Sequence, residues 1–440
     1  MSRDLESLLR FAPDGSSDRL ASLRREALAQ FEEQGLPTRR LENWKGTSLV
    51  PLERLHFERV GPGAKSIEPE TGAFDLVFVD GRLDSAASDL SALPAGIRVT
   101  TLLSALEEEP ERVSDFLGRL AEPKRHALIA LQTAFLEDGA FVSIDPGTKT
   151  VRPLRIRFVS TSDTDLDTEA EAASASFPRL LVVAGEDSAA TIFQAHDSIG
   201  SAAGLTATVS EIFLARGAHV EFVQLQSEGA ARVHFTSLHA RVERDARFSS
   251  NVYTLGEGLV RSEAQVELAE PGARAELNGL FLGRGKGHVD HFTTVDHAAE
   301  DCESDEEYRG VLGDHSRGVF RGRVIVRPDA QRTDARQSNP NLLLSDHANI
   351  DTKPQLEIYA DDVRASHGAT IGQLDEDALF FLRARGIGES SARLLLTNAF
   401  AQSIVERIDD QGVRDLVREH VESTLDQFEG AARRDGERLR

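Results

Sequence analysis

GAHVEFVQLQ (217–226), GAARVHFTSL (229–238), DARFSSNVYTL (245–255), GLVRSEAQVEL (258–268), GARAELNGLFL (272–282) and GHVDHFTTVDH (287–297) follow one another almost without interruption. Each is a short run rich in Val, Phe, Leu and Thr, entered through a small turn element, and each reads as a strand. Counted from positions 217, 229, 245, 258, 272 and 287, successive starts are 12, 16, 13, 14 and 15 residues apart. No amphipathic helix intervenes, which excludes an alternating βαβ sheet and leaves a sandwich, a barrel or a β-solenoid. The runs lack a consistent hairpin signal, and this tilts the choice toward a solenoid whose turns stack on one another.

Working outward, FVSIDP, PLRIRFVS and RLLVVAG extend the β-type texture upstream to about residue 139. They are interrupted by the acidic, Ala- and Ser-rich stretch 161–178, whose composition predicts a mobile loop. Before that, 18–35 places Leu20, Leu23, Ala27, Leu28 and Phe31 at helical intervals. AFDLVFVDGRL (73–83) reads as a strand and turn, and two further helical segments end at Gly139, a C-cap residue. Downstream, Asp375 is the expected N-cap of a helix stopped by Gly386. Leu396, Phe400, Ile404 and Ile408 then recur every fourth residue, and Val413, Val417, Val421, Leu425 and Phe428 carry an apolar face through a last helix. The division expected is an α-rich region at 1–138, a β core at 139–374 and a helical region at 375–440.

The 440 residues carry a formal net charge of −23, which argues against nucleic acid held by phosphate attraction. No segment approaches the roughly 20 apolar residues needed to span a bilayer, and the acidic N-terminus is unlike a signal peptide, so no membrane partner and a cytoplasmic location are expected. The single cysteine, Cys302, lies between Asp301 and Glu303, whose field raises a thiol pKa and favours an unreactive group. GPGAKS (61–66) falls short of a phosphate loop because Ala64 replaces glycine before Lys65 and IEPE follows, so no bound nucleotide is expected. GRGKGH (283–288) lies between strands and reads as a turn.

HVDHFTTVDHAAEDC (288–302) gathers metal-ligand residue types, but alternation along a strand sends His288 and Asp290 to one face and His291 to the other, which favours structural roles. Asp361–Asp362 reads as a turn. A β-solenoid enzyme acting on a polymeric substrate would need grouped acids in a cleft, and none is visible.

Segment 331–387, ending in EIYADDVRASHGATIGQLDEDALFFLRARGI, resembles the SufB/SufD family of iron–sulfur cluster assembly proteins, on its SufD side through SHGATIGQLD (366–375). RRLENWKGTSL (39–49) is similar to the family's N-terminal R-x-E-x-W-K-x-T-x-L element, and VDHAAEDCESDEEYRGVL (295–312) to the strand preceding GVFRGRVIV. The resemblance implies a mainly β fold, a right-handed parallel β-helix flanked by α-helical N- and C-terminal domains. It also implies a non-catalytic scaffold that pairs with a SufB-like subunit, with a SufC-like ATPase docked on the C-terminal helices, where Leu396, Phe400, Ile404 and Ile408 are the candidate docking residues.

By position, His367 is the histidine expected to face a cysteine of the SufB-like subunit and to hold transient iron or the nascent cluster shared with it; an imidazole nitrogen suits iron. Many relatives read KCSHGAT where this chain has Arg364 and Ala365, so a thiolate at that place is either dispensable or supplied elsewhere. A homodimer is expected in isolation. A homodimeric, sulfur-accepting SufB-like scaffold is the alternative within the family, and the lone acid-flanked Cys302 argues against it.

Overall fold

The computed structural model describes residues 19–57, 67, 73–161, 173–201 and 203–438, with side chains to 428. GPGAKS (61–66) and most of the acidic stretch after Thr161 lie outside the described residues, although Ser174–Ser176 is a short strand on Gly204–Leu214.

From Leu154 onward nearly every strand pairs in parallel with the strand two places along the chain. Leu154–Thr161, Ala189–Ile199, His219–Gln226, Arg247–Thr254, Arg274–Gly283, Glu303–Leu312, Thr333–Leu343 and Val363–Gly372 form one sheet. Gly139–Ile144, Arg179–Ala184, Gly204–Leu214, Arg232–Val242, Leu259–Leu268, His288–His297, Arg317–Val326 and Asn349–Ile358 form the other. The chain therefore alternates between two walls, making a mainly β solenoid of about seven turns with helices at both termini.

His219 is in register with Arg247, Arg247 with Arg274, and Arg274 with Glu303, so one turn takes 28, 27 and 29 residues there. The 12–16-residue spacing is half a turn. Phe74–Val79 joins the first sheet beside Leu154–Thr161, so the solenoid wall begins inside the N-terminal region rather than at residue 139.

Each turn rounds one corner in the same way. Asp187, Gly217, Asp245, Gly272, Asp301 and Arg332 have positive φ, the conformation that Gly and Asp adopt most readily. Each is followed by a small residue with almost no exposure: Ser188, Ala218, Ala246, Ala273, Cys302 and Thr333. A Cβ at Gly272 would collide with the Asp245 carboxylate on the turn above, which explains a glycine there beyond its φ of 76°.

The interior of the first turns is apolar, lined by Phe78, Leu76, Ile156, Ile192, Phe222 and Phe248. The two outer faces are covered separately. Helices Ala21–Gln34 and Ala127–Ala134, with the segment around Trp44, bury Leu205, Ala207, Val233, Phe235 and Leu259 of the second sheet. The C-terminal helices Glu376–Arg383, Glu389–Val405 and Gln411–Arg438 bury Val223, Leu225, Tyr253, Leu280 and Val311 of the first.

Candidate functional site

Two strands end the solenoid, Asn349–Ile358 in one sheet and Val363–Gly372 in the other, and each is hydrogen-bonded along one edge only. Asp375, after the last strand, caps the following helix by accepting N–H bonds from Asp377 and Ala378, and Gly386 ends that helix at a φ of 84°. Ile358, Tyr359 and Ile371 are exposed at this end.

His367 lies on the terminal strand, exposed, and its imidazole has no hydrogen-bond partner among the described residues. Ala365, on the same side of the strand two residues earlier, packs with Val324, Val326, Ala330 and Ala335.

Behind His367 the interior turns polar. Register aligns Leu277, Glu306, Gln337 and His367 on successive strands of the first sheet, so their side chains form one column. Glu306, 1% exposed, accepts a hydrogen bond from the Thr293 hydroxyl of the opposite sheet and another from Gln337 Nε2 at 2.6 Å. Burial pushes its carboxyl up to about 7, the two hydrogen bonds opposing the shift. The adjoining columns continue this layer of amides. Asn339 donates to the Tyr308 carbonyl at 2.8 Å and accepts from the Thr352 hydroxyl at 2.7 Å, while Asn341 donates to Asn339 Oδ1 at 2.8 Å and to the Thr370 carbonyl at 3.2 Å. The last turn is thus tied on by side-chain amides.

The ligand-rich tract 288–302 is dispersed. His288 Nε2 lies 2.9 Å from the Thr47 hydroxyl, and Asp290 pairs with Arg261 and Thr47, both on the outer face. His291 points inward among Phe281 and Tyr308 and meets the Thr254 hydroxyl at 3.2 Å; His297 meets Ser304 at 2.8 Å. Burial holds His288 and His297 down to about 4 and His291 to about 3, so all three are neutral. Cys302 fills the corner position that Ala218, Ala246 and Ala273 fill on earlier turns, and burial pushes its thiol up to about 11. Among the described residues, no group of three or more His, Cys, Asp or Glu could hold a metal ion. Asp362 closes a turn, accepting from the Arg332 N–H and donating to Gln331 Oε1.

The outer face explains the 39–49 motif. Trp44 is 2% exposed with the Arg261 guanidinium 3.9 Å above its ring, and Glu42 Oε1 pairs with Lys353 Nζ at 3.0 Å. The Glu42 carbonyl accepts from Arg321, and Gly46 packs against Val319. The segment is a strap across four strands of the second sheet.

On the C-terminal helices the expected docking residues divide. Ile404 and Ile408 are fully buried against the solenoid, and Leu396 and Phe400 are half-buried at the rim of the same core, with Arg309 5.0 Å above the Phe400 ring. That stripe serves the chain's own core, because the first sheet presents a matching apolar face beneath it. Among the described residues of these helices, the large apolar side chains left exposed are Phe380, Phe381 and Leu395. Sequence spacing missed these, together with Gln337 and Glu306. The only signal for the latter is the one-turn interval: Gln337 is 31 residues after Glu306, and His367 is 30 after Gln337.

No helix among the described residues is long and apolar enough to cross a membrane. The family described as SUF system FeS cluster assembly, SufBD core domain, matches residues 166–400, and the SufBD protein N-terminal region matches 69–156. The chain is 29% identical over 398 residues to the iron–sulfur cluster assembly protein SufD of Escherichia coli, covering 89% of each chain. It is 28% identical over 431 residues to a SufBD family protein of Synechocystis, covering 94% of this chain and 91% of the relative. To the chloroplastic protein ABCI7 of Arabidopsis thaliana it is 26% identical over 439 residues, covering 97% and 90%. With more than half of its length matched by the core domain, the chain belongs to the SufBD family of SUF-system iron–sulfur cluster assembly proteins.

Proposed function

We propose that this chain is the scaffold subunit of a SUF-type assembly complex, pairing through the open end of its solenoid with a SufB-like subunit. His367 supplies an imidazole nitrogen to iron, or to a nascent cluster, held jointly with thiolates of that partner. The observation that carries this reading is His367 itself, exposed and without a side-chain partner on a strand whose second edge is free. A pair of ten-residue open edges invites strand addition, and Ile358, Tyr359 and Ile371 provide apolar contact beside them. Iron and sulfide are cargo here. The buried Cys302 is no sulfur acceptor, so thiolates come from the partner, as energy does from a SufC-like ATPase.

That ATPase docks on the C-terminal helices through Phe380, Phe381 and Leu395 rather than through the buried Ile404 and Ile408. Without its partners the chain pairs with a second copy through the same open edges, and it works in the cytoplasm.

Co-expression with a SufB-like subunit and a SufC-like ATPase is the test. A stable three-component complex is expected; its absence overturns the reading. H367A should leave assembly intact and lower the yield of reconstituted cluster, read from its visible absorption, about tenfold or more; an unchanged yield removes His367 as a ligand. F380D should release the ATPase while retaining the SufB-like subunit.

A further inference from the structure

Gln337 is 3% exposed, and only half of its amide is used: Nε2 donates to Glu306, while Oε1 is buried with no partner among the described residues. A buried amide oxygen left unpaired is destabilising, so it calls for an explanation. The amide also has space made for it. A Cβ at Gly322, on the opposite wall, would run into Gln337 Nε2, so the glycine clears the position that the amide occupies. The next position along the column on the open side is His367, on a strand about 4.8 Å further on, and its ring nitrogens have no hydrogen-bond partner among the described residues.

We infer that Glu306 and Gln337 form a positioning relay for His367: Glu306 orients the Gln337 amide with its oxygen toward the open end, where it accepts one imidazole N–H. An imidazole whose one nitrogen donates to a fixed carbonyl is held in a single tautomer. Its other nitrogen keeps the lone pair and is aimed outward. Thr293 anchors the far end of the relay by donating to the other oxygen of Glu306. This inference rests on the proposed role of His367 for its purpose, and its geometry concerns this chain alone.

The test is 15N NMR of histidine-labelled full-length protein at pH 8.5, with the His367 resonance assigned by its loss in H367A. The expected result is one tautomer in the wild type. In Q337L the pair of ring shifts should return to the mixture seen for free imidazole. G322A, which leaves both members of the column intact but displaces the amide, should produce the same change. A free-imidazole mixture in the wild type, or a tautomer unaltered in both variants, overturns the relay. Cluster yield with the SufB-like partner separates the two claims. If Q337L shifts the tautomer and lowers the yield about tenfold, both stand. If the tautomer shifts and the yield does not change, the relay stands and the ligand role of His367 falls.

Discussion

Glu306 and Cys302 show how one residue's surroundings decide its chemistry. The folded protein holds Glu306 at about 7 against an ordinary value of 4.5, so between those values the folded state binds more protons than the unfolded chain. Stability from this group therefore declines as pH rises from about 4.5 through 7. E306Q removes that slope, and relative to wild type it should gain about 2 to 3 kcal/mol between pH 5 and pH 8, measured by urea unfolding. For Cys302 the expectation is near-silence: C302A reproduces the residue found at three equivalent corners, and should change stability by less than about 1 kcal/mol and leave cluster yield unaltered. The upward shift of the Cys302 thiol was legible in part from Asp301 beside it, although burial is the larger cause. The column behind His367 was not legible. Its members are a turn apart, and only the register of parallel strands brings such positions together.

The strap at 39–49 and the terminal strand act as elements, one closing a surface and the other leaving a surface open. Trp44, sealed under Arg261, fastens the strap, and W44A should cost about 3–5 kcal/mol, visible as a fall in the urea midpoint. On the terminal strand, Ile371 is 53% exposed, so I371K should move stability by less than about 0.5 kcal/mol while abolishing the proposed pairing with a SufB-like subunit in size-exclusion chromatography. The four-residue spacing of Leu396, Phe400, Ile404 and Ile408 did mark a helix with an apolar side. A periodic stripe says that something covers it and nothing about what, and the cover proved to be the outer face of the chain's own first sheet.

At the scale of the whole molecule, the repeated turn was readable because one corner of each turn, ahead of the first-sheet strands from Ala189 to Thr333, carries a residue with positive φ, Gly or Asp in five of six cases, and a small buried follower. The pairing of the two walls was not, since 12–16-residue spacing suits a hairpin array as well as half a turn. Burying histidines has a price in acid. His196, His239, His288, His291 and His297 are held neutral, their values pushed down to about 3 or 4 by burial. The unfolded chain protonates them near 6.5, so the stability they confer is complete above that value and is lost as pH falls, about 2 kcal/mol for each at pH 5. Steep unfolding between about pH 6 and 4, followed by circular dichroism, is the expected outcome. The strap sets a second constraint, one of timing. Trp44 and the Arg261 that seals it are 217 positions apart, so on a ribosome adding about 5–20 residues per second the tryptophan waits roughly 11–43 s before its cover has been made. For that interval a large aromatic side chain near the start of the chain has nothing to cover it, and the newborn protein depends on chaperones or on fast synthesis to keep it from other partners.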